Sequence, residues 1–315
     1  MKAVFAGTRG SVPIANPQSV NYGGNTTCVR IVSECLPQRF ALVVDAGTGF
    51  VPLSFDLLKE GVKEVSVLFS HYHPDHTQGI FLSPILFTKA IRLRLFGPIE
   101  ANVGPEEMMR ALMRSPYFPV DYKEVGSHIT CKGFDFPRTW VCLFHPKGGM
   151  KAMNVEEYEK LLTAGKTIPI GNGKYPVNEC LVVTMYKARH PESTISYRFE
   201  EKPTGKVFVF LTDHENEDGI PMSFKAHLQN ADLLVMDAQY TRLMYNERTA
   251  GFGHGTADYC VRVAEEVGAK VLGLTHHNPS STDADIEAIL AEGMAKLNGS
   301  GLQIFACRDY QEVDV

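Results

Sequence analysis

An apolar run, residues 65–70, ends directly in His71-Tyr72-His73-Pro74-Asp75-His76. A strand that stops in such a cluster delivers imidazole and carboxylate groups to the rim of a sheet. Residues two apart on an extended segment point the same way, so His71, His73 and Asp75 are expected to face one pocket, with His76 beside them. Imidazole with carboxylate suits zinc, iron or manganese, and four such groups exceed what one catalytic ion usually takes from so short a segment. The spacing therefore predicts two neighbouring metal ions.

The same placement recurs along the chain. Strand-like runs fall at 2–6, 28–33, 40–44, 65–70, 91–96, 181–186, 207–211, 233–236, 271–274 and 302–306. Many are short and continuous, as expected of strands covered on both faces. Asp213 lies just beyond 207–211, His276 just beyond 271–274, and His190 beyond the run that starts at 181. If those strands run alike, these groups converge on one rim. Between the runs, 256–267 carries Cys260, Val261, Val263, Ala264 and Val267 on one side and stops at Gly268, a helix pattern; 105–113 and 284–297 are further candidates. Mixed strands and helices imply layered α/β or α+β architecture.

No internal repeat, low-complexity tract or linker divides residues 1–315, which reads as a single domain. The stretch 145–180 stands apart. It is turn-rich at both ends and holds a short helix at 155–162, with Asn154 as N-cap and Glu157 three residues on, so an insertion or a lid is expected there. Hydrophobic content of 44% supports an ordered core, and a net charge of -5 without a basic block argues against a strong phosphate-backbone binder. Gly7 comes too soon for a signal-peptide apolar region, and no run approaches the ~20 apolar residues of a membrane span. Seven cysteines form no Cys-x-x-Cys pair, which fits a reduced cytoplasm.

Gly7-Thr8-Arg9-Gly10-Ser11, Asp45-Ala46-Gly47-Thr48-Gly49, the 71–76 cluster, His190, Thr212-Asp213 and Leu274-Thr275-His276 resemble the ordered motifs of the metallo-β-lactamase superfamily. Gly253-His254-Gly255-Thr256, with the helix after it, resembles the branch that holds ribonuclease Z, cyclic-nucleotide phosphodiesterases and the phosphodiesterase of phosphonate breakdown. The resemblance spans nearly the whole chain. It implies an α/β fold, a four-layer αββα sandwich of two mixed central sheets flanked by helices, with the site at one edge. It also implies that His71, His73 and His190 hold one ion, that Asp75, His76 and His276 hold the other, and that Asp213 bridges them. Asp45 would orient a ligand histidine through its second ring nitrogen. His277 competes with His276, and the Leu-Thr-His match favours His276. His254 matches the family's proton donor to the leaving group, with Asp237 setting its tautomer where ribonuclease Z typically has Glu. Asp75 is counted among the catalytic groups as well as the ligands.

The function that follows is a dinuclear metal-dependent hydrolase. It is expected to be a phosphodiesterase acting on a small phosphodiester such as a cyclic nucleotide, with a metal-bridging hydroxide as nucleophile. Zinc is the first expectation for the two divalent ions, with Mn2+ or Fe2+ allowed. Arg9 could touch a substrate phosphate, and the Gly23-Gly24-Asn25-Thr26-Thr27 turn could place backbone donors nearby. Transfer RNA is disfavoured as a partner. His277-Asn278-Pro279 stands where ribonuclease Z usually has Ser-x-Arg-Tyr, no basic Gly/Pro-rich arm is visible, and the chain is acidic overall. No membrane partner is expected, and a homodimer stays open, as in many related enzymes. The competing readings are a hydrolase of a lactone, thioester or amide on the same fold, and a non-catalytic metal-binding sensor.

Overall fold

Alternation along short apolar runs builds the frame. The computed structural model describes residues 1–136, 139–215 and 219–315. The first strands are β1 (Lys2–Gly7), β2 (Cys28–Val32), β3 (Phe40–Val44), β4 (Glu64–Leu68), β5 (Arg92–Pro98) and β6 (Ile129–Phe134). Next come β7 (Trp140–His145), β8 (Gly149–Asn154), β9 (Ile168–Ile170), β10 (Gly173–Tyr175), β11 (Leu181–Ala188) and β12 (Thr194–Glu201). The last are β13 (Lys206–Leu211), β14 (Leu233–Asp237), β15 (Val271–Thr275), β16 (Gln303–Ala306) and β17 (Gln311–Asp314). One sheet has the order β17-β1-β2-β3-β4-β5-β6 and the other β16-β15-β14-β13-β12-β11-β7-β8. Both are mixed: β3 to β6 run parallel, as do β13 to β16, with antiparallel neighbours beside them.

Side-chain alternation sends each strand into two cores. Phe40, Leu42 and Val44 of β3 turn to the space between the sheets, and Ala41 and Val43 turn outward. In β13, Phe208 and Phe210 face inward and Val209 and Leu211 outward. Each fully buried phenylalanine of the inner core contributes roughly 1.5–3 kcal/mol relative to exposure. Helices Phe50–Lys59 and Pro105–Leu112 cover the outer face of the first sheet. Helices Met222–Leu228 and Ala257–Glu266 cover the second. The layers are helix, sheet, sheet, helix, as the resemblance implied.

Strand β12 was not among the expected runs. Ile195, Tyr197 and Phe199 enter the inner core while Ser196, Arg198 and Glu200 face the other way, so its signal is strict alternation and not an apolar run. It matters for the site: Ile195 N–H donates to Ser70 O (2.9 Å) and Tyr197 Oη–H to Phe69 O (2.7 Å), which locks the two sheets together beside the histidine cluster.

In the 145–180 stretch, β7 and β8 form a hairpin that extends the second sheet, and the helix Val155–Thr163 follows. Asn154 caps it by accepting from Glu156 N–H (2.8 Å). Val141, Leu143, Met153, Tyr158, Ile168 and Ile170 make a separate small core. Because β7 runs antiparallel to β11, its closing turn at Gly148 and Gly149 lies at the end of the sheet opposite His190.

None of the seven cysteines is in a disulfide, and six of them are buried, as small hydrophobes are. No helix among the described residues is long and apolar enough to cross a membrane.

His227 supplies a pH test of the fold. Burial, with the Arg198 guanidinium nearby and Glu200 opposing weakly, pushes its imidazole down to about 3. Its Nε2 pairs with Ser196 Oγ (3.0 Å), and its ring lies against Tyr186. The unfolded chain therefore binds a proton that the native state refuses. Stability from this group is complete above the unfolded histidine pKa near 6.5 and falls by about 1.4 kcal/mol per pH unit below it, down to about pH 3. His227→Gln is expected to flatten the decline in urea midpoint between pH 6 and pH 4; an unchanged slope would assign the acid sensitivity elsewhere.

Candidate metal centre

Parallel strands bring their ends to one rim. Strands β4, β11, β13, β14 and β15 finish at the same edge, with the cluster, His190, Asp213 and His276 just beyond their ends and Asp237 closing β14. Strand β4 stops at Leu68, earlier than expected, and Pro74 opens a helix, Pro74–Phe81. The cluster is thus not one extended segment. His71 and His73 sit in the loop, whereas Asp75 and His76 belong to the first helical turn, where proline at N1 is favoured. That switch divides four neighbouring side chains between two sub-sites.

Ligand-type atoms of His71, His73, His190 and Asp213 lie within 4.8 Å of one another, and so do those of Asp75, His76, Asp213 and His276. Asp213 is common to both. Its Oδ2 lies 3.7 Å from His71 Nε2 and 3.8 Å from His190 Nε2; its Oδ1 lies 3.3 Å from both His76 Nε2 and His276 Nε2. Nε2 of His71 and of His76 are shut off from solvent and make no well-formed hydrogen bond among the described residues. Buried ring nitrogens that converge on carboxylate oxygens without bonding them fit cations between them, because buried polar atoms otherwise find partners.

Charge agrees. Burial, with His76 adding to it, holds His71 well below the ordinary imidazole value, and burial also lowers His190. Both rings are therefore neutral with a lone pair to give. Burial disfavours the Asp213 carboxylate, yet the surrounding histidines hold it well below the usual carboxylate range.

Three rim residues take left-handed backbone angles: Asp45 (φ 58°), Asp213 (φ 47°) and His276 (φ 62°). Each such angle costs a non-glycine residue roughly 1–2 kcal/mol and turns a side chain off its strand's alternation into the cleft. Asp45 follows β3 and accepts at Oδ1 from Ser70 N–H (2.6 Å) and at Oδ2 from His76 Nδ1 (2.8 Å). Its contact with the ring aims His76 Nε2 at Asp75 and Asp213. His277 points away, its Nε2 bonded to Cys307 O (2.7 Å), so His276 alone of the pair faces the cluster.

His254 stands at the edge of the cluster. Its Nδ1 pairs with Asp237 Oδ2 (2.7 Å), and its ring stacks on His276 with centroids 4.8 Å apart. Burial disfavours the imidazolium, but Asp237, Asp213 and Asp75 together lift His254 to about 9. Gly253 (φ +91°) precedes it, and a Cβ there would come within 2.6 Å of the His190 ring, so only glycine lets this loop pass so close.

The Gly7–Ser11 motif is support. Ser11 N–H donates to Asp75 Oδ2 (2.6 Å). Arg9 does not reach toward a substrate. It is fully buried and gives Nε to Gly23 O (2.9 Å) and Nη1 to Asn278 O (3.0 Å) and Ser281 O (2.8 Å). It ties the first motif to the turn after His277. Arg9→Met is expected to destabilise the fold by about 3 kcal/mol, since it strands two buried carbonyls and a part-buried one, read as a lowered denaturant midpoint with an unchanged m-value. A shift under about 0.5 kcal/mol, the range of ordinary surface changes, would refute that role. The Gly23–Thr27 turn is likewise spent on structure: Thr26 and Thr48 exchange reciprocal side-chain-to-backbone bonds of 2.8 Å. His214 accepts from Arg189 N–H (3.0 Å) and steadies the approach to His190.

Two acids went unnoticed in the sequence. Glu192 Oε2 lies 3.1 Å from His190 Nδ1 and 3.3 Å from His73 Nε2. Glu215 accepts from Gly251 N–H, Gly253 N–H and Tyr245 Oη–H, each at 2.6 Å, and so clamps the loop that carries His254. Their only signal was closeness to His190 and Asp213.

Comparison with known proteins gives the same fold. The family model of the beta-lactamase superfamily domain matches residues 154–277, which hold His190, Asp213, His254 and His276. A curated relative, ribonuclease Z of Treponema pallidum, is 25% identical over 264 residues, covering 79% of this chain and 81% of its own. The Bacillus subtilis metallo-beta-lactamase fold protein YhfI shares the fold at TM-score 0.64 and 18% identity, covering 99% of each chain. Human tRNase Z, short form, does so at TM-score 0.60 and 15% identity, covering 100% of this chain and 99% of its own. The family-model match, the ribonuclease Z relatives and the shared fold together support a metallo-β-lactamase superfamily hydrolase of the ribonuclease Z-like branch.

This corrects one expectation. Transfer RNA was disfavoured as a partner, but the relative carries the name ribonuclease Z and a structural neighbour the name tRNase Z, which overturns that exclusion. Net charge is a sum over the whole chain and does not report a local binding face.

Proposed function

We propose that the chain is a dinuclear metal-dependent phosphodiesterase. His71, His73 and His190 hold one divalent ion, Asp75, His76 and His276 hold the second, and Asp213 spans both. The observation that carries this reading is the division of Asp213, with Oδ2 toward His71 and His190 and Oδ1 toward His76 and His276. Zinc, manganese and iron all suit this donor set. When bound, the two ions supply Lewis acidity toward an anionic diester and lower the pKa of water to near neutral.

The remaining work falls to side chains. Asp45 holds the His76 ring, and Ser11 N–H holds Asp75, so neither donor needs to reorganise when the cleft fills. Asp237 accepts the Nδ1 proton of His254, which places the transferable proton on Nε2. That proton goes to the leaving oxygen as negative charge develops there. The reacting group is a phosphodiester, a bond shared by cyclic nucleotides, aryl diesters and RNA.

The test is metal analysis of protein purified without added metal, followed by rates on an aryl phosphodiester, a cyclic nucleotide, a precursor transfer RNA, a lactone and a thioester. About two ions per chain and diester cleavage lost on chelation are expected. Faster turnover of the lactone or thioester would replace the reading with the alternative hydrolase, and no turnover of any ester would leave a metal-binding sensor.

A further inference from the structure

We propose that a second site, at the strand starts of the first sheet, binds a compact polyphosphate. Arg39 precedes β3, Lys63 precedes β4, Lys89 lies in the turn before β5, and Arg92 and Arg94 belong to its first half. These five cations and His128 line one groove of about 770 Å3. Among the described residues its one acid is Glu64, shared by Arg92 (3.3 Å) and Arg94 (2.9 Å). Arg39, Lys63 and Lys89 are exposed, and their side chains make no hydrogen bond or ion pair among the described residues. In a chain of net charge -5, this is a strong local excess of positive charge.

Backbone pairing fixes that excess in place. Lys63 N–H donates to Arg39 O (2.8 Å) and Arg92 N–H to Lys63 O (2.9 Å), which sets the three strand starts side by side. Adjacent strands stand ~4.8 Å apart. Like charges on adjacent strands repel, so the array gains from a counter-anion that touches several of them at once. Both ring nitrogens of His128 are shut off from solvent without a hydrogen-bond partner among the described residues, which adds polar groups still to be satisfied.

Shape selects the class of anion. From β3 to β5 is two strand spacings, ~10 Å, and the turn at Gly148 and Gly149, with Gly171, walls one side. A running nucleic-acid strand needs aromatic faces for its bases. Apart from His128, the aromatic residue of the lining is Phe40, only 8% exposed and committed to the inner core. A short chain of linked phosphates, free or as the tail of a nucleotide, meets the charge without needing a stacking surface. The groove stands at strand starts and the metal cluster at strand ends, so this inference is independent of the proposed phosphodiesterase activity.

Isothermal titration of the purified protein with inorganic tripolyphosphate, adenosine triphosphate, adenosine and a single-stranded RNA oligonucleotide tests it. Wild type is compared with R39E/K63E/K89E and with the milder R39Q/K63Q/K89Q, both carrying wild-type metal content. Tripolyphosphate and the nucleotide are expected to bind, more weakly as salt rises, and adenosine is not. The charge reversal should weaken both on the order of tenfold or more, about 1.4 kcal/mol per decade, with aryl-diester hydrolysis unchanged. Equal binding in wild type and both variants would send the anion to the metal cluster and overturn the proposal. So would no binding at low salt. Nucleotide binding without tripolyphosphate binding would overturn it in favour of nucleoside recognition, and RNA binding tighter than tripolyphosphate and lost in the variants would replace it with a nucleic-acid track.

Discussion

Asp213→Ala is expected to cut bound metal from about two ions per chain to one or none and to take turnover to background. Removing a group that merely supports a ligand typically costs ~10–100-fold in metal affinity. Asp213 is closer in than that, since each of its oxygens faces a different pair of histidines. Without it, His71, His76, His190 and His276 surround a gap with no shared anion. Element analysis after dialysis, together with the metal-induced rise in melting temperature, reads the effect. A variant that keeps both ions would remove Asp213 from the bridging position. Asp213→Asn retains shape and loses charge, so a matching loss there would separate electrostatics from packing.

His254→Ala should behave differently. Turnover is expected to fall by ~10²–10⁴ while metal content stays at the wild-type level, the usual range for loss of a general acid. The effect should sit in kcat more than in KM, because the proton moves only as the leaving oxygen departs. Asp237→Asn is the companion. An amide lacks the negative charge that helps keep the His254 ring protonated, so less of the proton-donating imidazolium is present and kcat should drop with little change in fold. Wild-type kcat in His254→Ala would take this residue out of the mechanism, whatever its contact with Asp237.

Much of the frame could be read from the chain. Runs such as 40–44 and 271–274 are short, apolar and bounded by turns, and they appear as β3 and, with Thr275 added, β15. The helix expected at 256–267 appears as Ala257–Glu266, because its apolar side and its stop at Gly268 both leave a periodic trace. Strand β12 escaped because alternation with arginine and glutamate looks like surface until a second sheet covers one face. The position of the 145–180 stretch escaped as well: a turn-rich stretch signals an excursion, but only the antiparallel pairing of β7 with β11 decides which end of the sheet it visits.

Residue type and strand-end placement were enough to single out His71, His73, Asp75, His76, His190, Asp213 and His276, because ligand chemistry is local and parallel strands share an edge, and the family resemblance added His254. The sequence by itself determined that inventory, the layered α/β architecture and the helix stops. Tertiary structure decided the rest. It buried Arg9 as a clamp on three carbonyls, turned Asp45, Asp213 and His276 into the cleft through left-handed backbone angles, and drew Glu192 and Glu215 to the rim. It also gathered Arg39, Lys63 and Arg92 from separate strand starts into one groove. The physical reason is the same throughout: what a side chain can do is written in its atoms, but which atoms it meets depends on chain segments far away in sequence, and on backbone angles that no side chain specifies alone.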